Sequence, residues 1–164
     1  MPVESSPYVG FRKDRSDAQG LWERFNAGLV PTNEPSEPYH RLLLAEWRRC
    51  SALGVDVAMN VGRRLAPDAF QLRLRRERLL LDTALPLVRD VGTFLGDVPG
   101  IIMLTDATGT VLYIGGDDAV RERAATLSGI VEGSQWNEAT AGTNGIGTAI
   151  ALRRPVHVFA TEHF

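Results

Sequence analysis

Between Gly133 and Thr148 the chain runs Gly-Ser-Gln-Trp-Asn-Glu-Ala-Thr-Ala-Gly-Thr-Asn-Gly-Ile-Gly-Thr, and the sequence closes on Glu162-His163-Phe164. Glycine at that density marks backbone that takes positive φ or comes close to another group. A phosphate loop is the first chemistry to weigh. Gly142, Gly145, Gly147 and Thr148 supply the glycines and hydroxyl of that pattern, but no lysine stands beside them to reach the phosphates. A dinucleotide turn fails too, because Ile150 occupies the third glycine position and no strand leads directly into the loop. Helix-start amides near Gly145 to Thr148 still suit an anion. Equally, the glycines can serve only a tight turn and close helix packing.

Metal binding needs clustered ligands, whereas His157 and His163 flank a strand and a terminus, Glu162 adjoins the latter, and His40 is distant. Cys50, the sole cysteine, lies on an apolar helix face and suits a small core residue; it can build neither an internal disulfide nor a zinc ribbon. A serine elbow of the Gly-x-Ser-x-Gly type does not occur. No catalytic residue and no metal ligand is assigned, the residues name no cofactor, and the chain reads as non-enzymatic.

Recognition remains. Met103, Tyr113, Trp136, Ile146 and Phe159 can line an apolar cavity, with Asn137, Glu138, Thr143, Asn144 and Glu162 offering convergent polar groups. The same residues can instead fill a core and cap helices and turns. With the backbone at Gly145 and Gly147 and the His163 ring added, the candidate ligand set is Met103, Tyr113, Trp136, Asn137, Glu138, Thr143, Asn144, Gly145, Gly147, Glu162 and His163.

The elements that must position these residues follow from periodicity. Residues 1–15 read as a polar leader. Ala18, Leu21, Trp22 and Phe25 carry helical spacing after a Ser16 cap, and Gly28 closes that helix. After a proline-rich turn, Leu42 to Leu53 forms a second helix ended by Gly54. A third, longer helix starts at Pro67 or Asp68 with a seam of Phe70, Leu74, Leu81, Ala84, Val88 and Val91, interrupted by Glu77; Pro86 should kink or divide it. Arg73, Arg75, Arg76 and Arg78 on this helix tempt a nucleic-acid reading, but the weightier reading is a solvated face. The period then turns extended. Ile101 to Asp106, a turn at Ala107-Thr108-Gly109, and Thr110 to Gly115 form a hairpin. Asp117 caps a helix to about Leu127, Asn144 to Leu152 forms another, and Arg154 to Phe159 is a last strand.

The expected architecture is α+β: an N-terminal helical segment followed by an antiparallel sheet flanked by helices. Its parts are a leader with a short helix over 1–34, a helical segment over 35–66, a long dimerisation or linker helix over 67–97, and a sensor domain over 98–164. At 164 residues with 44% hydrophobic and 23% charged residues, the chain is long enough for a packed core. A net charge of -2 gives no bulk attraction to nucleic acid. Neither a signal peptide nor an apolar run of membrane-spanning length occurs, so a soluble cytoplasmic protein is expected.

Taken together, Trp136-Asn-Glu138, Gly142-Thr-Asn-Gly-Ile-Gly-Thr-Ala149, Arg154-Pro-Val156 and Glu162-His-Phe164 resemble the GAF-type sensor domain of bacterial transcriptional activators of the acetoin and glycerol catabolism regulator class, which are enhancer-binding and depend on an alternative sigma factor. Upstream, Glu46-Trp47-Arg-Arg-Cys50, Leu80 to Val88, Leu104-Thr-Asp106 with Gly109, and Gly115-Gly-Asp117 resemble further motifs in the same order, over about residues 40–164. Two positions depart: Gly145 stands for the usual alanine and Glu46 for serine.

The resemblance implies a GAF-like fold and a sensing module that binds a small effector. It also implies a homodimer through the long helix, and ATPase and DNA-binding domains elsewhere in full-length relatives. This segment itself would touch neither membrane nor nucleic acid. An effector held between the sheet and the Trp136 to Thr148 loop would order the loop and shift the long helix. The alternative is a dimerisation or scaffold domain without a ligand. Because the family's sheet continues after Glu-His-Phe, the chain further reads as a C-terminally truncated fragment, or as one whose missing edge a partner or swapped neighbour supplies.

Overall fold

The computed structural model describes residues 18–29, 35–55, 62–95 and 99–158. The leader, Phe159, Glu162 and His163 lie outside the described residues. Helix α1 (Ala18–Asn26) and helix α2 (Pro38–Ala52) follow the expected apolar spacing; Pro38 opens α2, and Gly28 and Gly54 take positive φ just past the two helix ends. Their facing stripes make the first core, Leu21, Tyr39, Leu43, Leu44, Trp47 and Cys50, with Phe25 tilted against Trp47 at 5.6 Å between ring centroids. Val156 packs on the same core from the far end of the described chain.

A two-residue strand β1 (Arg63–Arg64) leads into α3 (Pro67–Arg76), and α4 (Arg78–Leu95) follows after a single interrupting residue. Sequence periodicity placed the discontinuity at Pro86, whereas α4 runs through Pro86 and the interruption falls at Glu77, with φ -90 and ψ 15. Hydrogen bonds from Glu77 N to Arg73 O and from Leu81 N to Glu77 O, both 2.9 Å, keep the helical register across it. The residues of the expected dimer seam divide by burial. Phe70, Leu74, Leu81, Ala84 and Val88 are half-buried, and α4 packs against the strands that follow, while Leu72, Leu79, Leu87 and Val91 are exposed.

Strands β2 (Ile101–Thr105) and β3 (Val111–Gly116) form the antiparallel hairpin, with Met103 opposite Ile114 and a bulge after Leu104. Its turn is held by the Asp106 carboxylate. Oδ1 accepts from Thr108 N, Thr108 Oγ1 and Thr110 N at 2.7–2.9 Å. Oδ2 has no hydrogen bond and lies 3.3 Å from Arg73 Nη1, an ion pair that ties α3 to the turn. Helix α5 (Asp118–Ser128) is capped by Asp117, whose side chain accepts from Val120 N, and ends at Gly129 with φ 65.

Strand β4 (Ser134–Gln135) pairs antiparallel with β1, a ladder that the sequence reading left out. Short helix α6 (Glu138–Ala141) and helix α7 (Gly145–Leu152) complete the described elements. Residues 155–158, expected as a strand, run without regular structure. Pro155 brings no N–H, and no described strand lies alongside them to pair with. The second core, Val111, Ile114, Trp136 and Ala141, is closed by Ile101, Met103, Ile130 and Ile146. No described helix is long and apolar enough to cross a membrane.

Candidate functional site

The glycine-rich stretch is a junction between three parts of the chain. Asn144 caps α7, its Oδ1 accepting from Ile146 N at 3.0 Å and Gly147 N at 2.9 Å while its Nδ2 donates to Gly142 O. Gly147 has no room for a side chain: a Cβ there would meet Trp136 O at 2.6 Å and Glu138 N at 2.7 Å. Trp136 is buried, its Nε1 donating to Ser134 Oγ, and its backbone N donates to Gly109 O in the hairpin turn. Asn137 reaches the same turn, donating from Nδ2 to Thr108 O at 3.1 Å.

Glu138 makes the longest connection. Its carboxylate accepts from Arg49 Nε and Nη2, both at 2.6 Å, and from Thr148 Oγ1 at 2.8 Å. Helix α2 is thereby joined to α6 and α7 by a fork-on-fork pair, the geometry that makes an arginine bond both strong and directional. The bond to Glu138 raises the Arg49 guanidinium further above its ordinary value. One residue on, Cys50 Sγ lies 3.3 Å from Thr143 Oγ1, and burial pushes the thiol up, with the Thr143 contact pulling the other way. Glu138, Thr143, Asn144 and Thr148 thus satisfy one another and α2.

A cavity opens elsewhere. About 430 Å³ lies between α4 and the hairpin, lined by Val88, Arg89, Gly92 and Thr93 on one side and by Gly100, Ile101, Ile102, Tyr113, Gly115, Gly116 and Asp117 on the other. Glycines make the space. A Cβ at Gly92 would have Ile102 Cγ2 as its nearest neighbour at 3.9 Å, so it would stand at the cavity wall. At Gly115 it would lie 2.9 Å from the Tyr113 hydroxyl, so glycine there lets the ring lie across the strand. The Arg89 guanidinium sits 5.8 Å from the Tyr113 ring centroid, a cation over an aromatic face. A more open recess of about 670 Å³ between α5 and β3 is lined by Ile114, Ala125, Ile130 and Val131 together with charged groups, of which Arg121 is already paired with Asp118 at 2.8 Å.

Of the candidate ligand residues, Trp136, Asn137, Glu138, Thr143, Asn144 and Gly147 converge on the junction, and Gly145 is exposed at the start of α7. Met103 packs on the second core, and Tyr113 lines the α4 cavity. Glu162 and His163 lie outside the described residues. Sequence reasoning gave no role to Arg49 as partner of Glu138, to Arg73 as partner of Asp106, or to Arg89 and Gly92. The signal was present in the glycines: Gly92 inside a helix and Gly115-Gly116 at a strand end both oppose propensity, which marks close approach or open space. Among the described residues no three His, Cys, Asp or Glu side chains gather as a metal would need.

Comparison with known proteins matches residues 43–164 to the family described as the MimR N-terminal domain. The propane 2-monooxygenase operon transcriptional activator MimR of Mycolicibacterium smegmatis is 35% identical over 155 residues, 91% of this chain and 24% of that protein. The acetoin catabolism regulatory protein of Cupriavidus necator is 35% identical over 124 residues, 72% of this chain and 18% of its own length. The chain therefore spans about a quarter or less of these curated relatives. A chain of the crystal structure of the E. coli DhaR(N)-DhaL complex shares the fold, with a TM-score of 0.68 at 21% identity over 74% of this chain and 42% of that one.

Proposed function

The chain belongs to the family of the MimR N-terminal domain, and we propose that it is the signal-receiving module of a bacterial transcription regulator, binding a small effector to control an output domain outside this chain. The α4 cavity carries the reading. Its volume of about 430 Å³ falls in the range that holds small molecules, and its lining sets Val88, Ile101 and Ile102 beside a cation, a carboxylate, a phenol and a hydroxyl at Arg89, Asp117, Tyr113 and Thr93. With the Arg89 cation and the Asp117 carboxylate both in the lining, a small polar molecule is favoured. The cavity also has α4 as a wall, so an occupant changes the packing of the helix expected to pair with a second copy and pass the change on. A coupling of about 1–3 kcal/mol between sites is enough for such control. ATPase and DNA-binding outputs are those that the resemblance implies.

A second reading, a dimerisation and scaffold domain without a ligand, draws on the junction, where Glu138, Thr143 and Asn144 are satisfied internally. Native mass spectrometry of the chain taken from cells separates the two. Effector binding predicts a retained small molecule that Gly92→Leu, which fills the cavity, removes. No added mass in either chain favours the scaffold, and an equal increment in both contradicts this cavity as the binding site.

A further inference from the structure

The α4 cavity carries two opposite charges that do not pair with each other. Arg89 and Asp117 both line it, and among the described residues neither joins an ion pair. The Arg89 guanidinium rests over the Tyr113 ring, whose π face meets its positive charge and leaves its N–H donors open to an anion. Asp117 uses Oδ1 to cap α5, accepting from Val120 N at 2.9 Å, and Oδ2 is left over. Tyr113 and Gly115 are alternate residues of β3 and face the same side of it. A Cβ at Gly115 would lie 2.9 Å from the Tyr113 hydroxyl, so the phenol is laid along the strand towards Gly116 and Asp117.

We infer that the cavity takes a small zwitterion, with an anionic group for Arg89 and an ammonium for Asp117 and the Tyr113 hydroxyl, joined by a short apolar spacer. This rests on the cavity being the effector site and names the class of effector. A ligand with a single charge is opposed at one end: a monoanion meets the Asp117 carboxylate, and a monocation meets the Arg89 guanidinium. A neutral molecule displaces water from both charged groups without replacing it. A zwitterion gives each a charge-assisted hydrogen bond, while Val88, Ile101 and Ile102 in the lining suit the methylenes between its two ends.

Isothermal titration of the chain with glycine, β-alanine, γ-aminobutyrate and δ-aminovalerate, and with butyrate and butylamine as single-charge controls, tests this. At least one of the four zwitterions should bind about tenfold tighter than either control. Asp117→Asn keeps the helix cap, because asparagine caps as well as aspartate. It should weaken that zwitterion about tenfold and tighten butyrate, whereas Arg89→Gln should weaken the zwitterion and tighten butylamine, a crossed pattern that a merely structural role would not give. Butyrate or butylamine binding as tightly as every zwitterion, no binding of any zwitterion, or indifference to Asp117→Asn would overturn the ligand class. Equal binding of the zwitterion to Gly92→Leu would instead strike the cavity itself as the site, so the two failures are distinguishable.

Discussion

Glu138 is the residue on which most of the junction converges, and its environment fixes what its loss should do. Replacing it by alanine leaves the Arg49 guanidinium and the Thr148 hydroxyl without their acceptor. Breaking a buried pair commonly costs 3–5 kcal/mol; because Arg49 is a third exposed, about 2–3 kcal/mol is expected, read from urea unfolding. Two neighbouring glycines should behave oppositely. Gly147→Ala drives a Cβ into backbone at Trp136 and Glu138 and should destabilise by about 1–3 kcal/mol or more. Gly145→Ala meets nothing within 4 Å and should be neutral or stabilising by up to about 1 kcal/mol. Cys50, buried and with its thiol held above its ordinary value, should react with iodoacetamide far more slowly in the native chain than in urea. The Asn144 cap and the core placement of Cys50 were legible from residue type alone. The Arg49 to Glu138 pair was not, because the partners are 89 positions apart and nothing local in either segment names the other.

At the scale of elements, the helix ends and the hairpin followed the punctuation of the sequence: Gly28, Gly54 and Gly129 close helices, and Asp106 with Gly109 makes the turn. Propensity alone misplaced the helix break. Pro86 is accommodated within α4 on an exposed face, while Glu77 takes the non-helical conformation. Strand β1 and helix α6 are too short to leave a periodic signal and exist through contacts, β1 through its ladder with β4 and α6 through Glu138. The turn offers a test of how α3 is anchored. Asp106→Asn keeps an acceptor for Thr108 and Thr110 and loses only the charge facing Arg73, whereas Asp106→Ala leaves the buried Thr110 N–H unpaired. The alanine variant should therefore be the less stable of the two by about 1–3 kcal/mol, as a difference in urea midpoints at equal slope.

For the whole molecule, two small cores are joined by the Arg49 to Glu138 pair, and the α4 cavity lies between α4 and the hairpin. The class and the order of the longer helices and the hairpin were readable in the sequence because periodicity and turn residues are local. The cavity was not, since it arises where Gly92, Gly100, Gly115 and Gly116 come together from separate elements. The central claim is that a small molecule in this cavity acts on α4. Hydrogen exchange of wild-type and Gly92→Leu chains, each with and without a small-molecule extract of the source cells, tests it most directly. Occupancy should slow exchange at Val88 to Thr93 and at Ile101 and Ile102 in the wild type and leave Gly92→Leu unchanged. Unaltered exchange along α4, or protection confined to Asn144 to Thr148 in both chains, would contradict it.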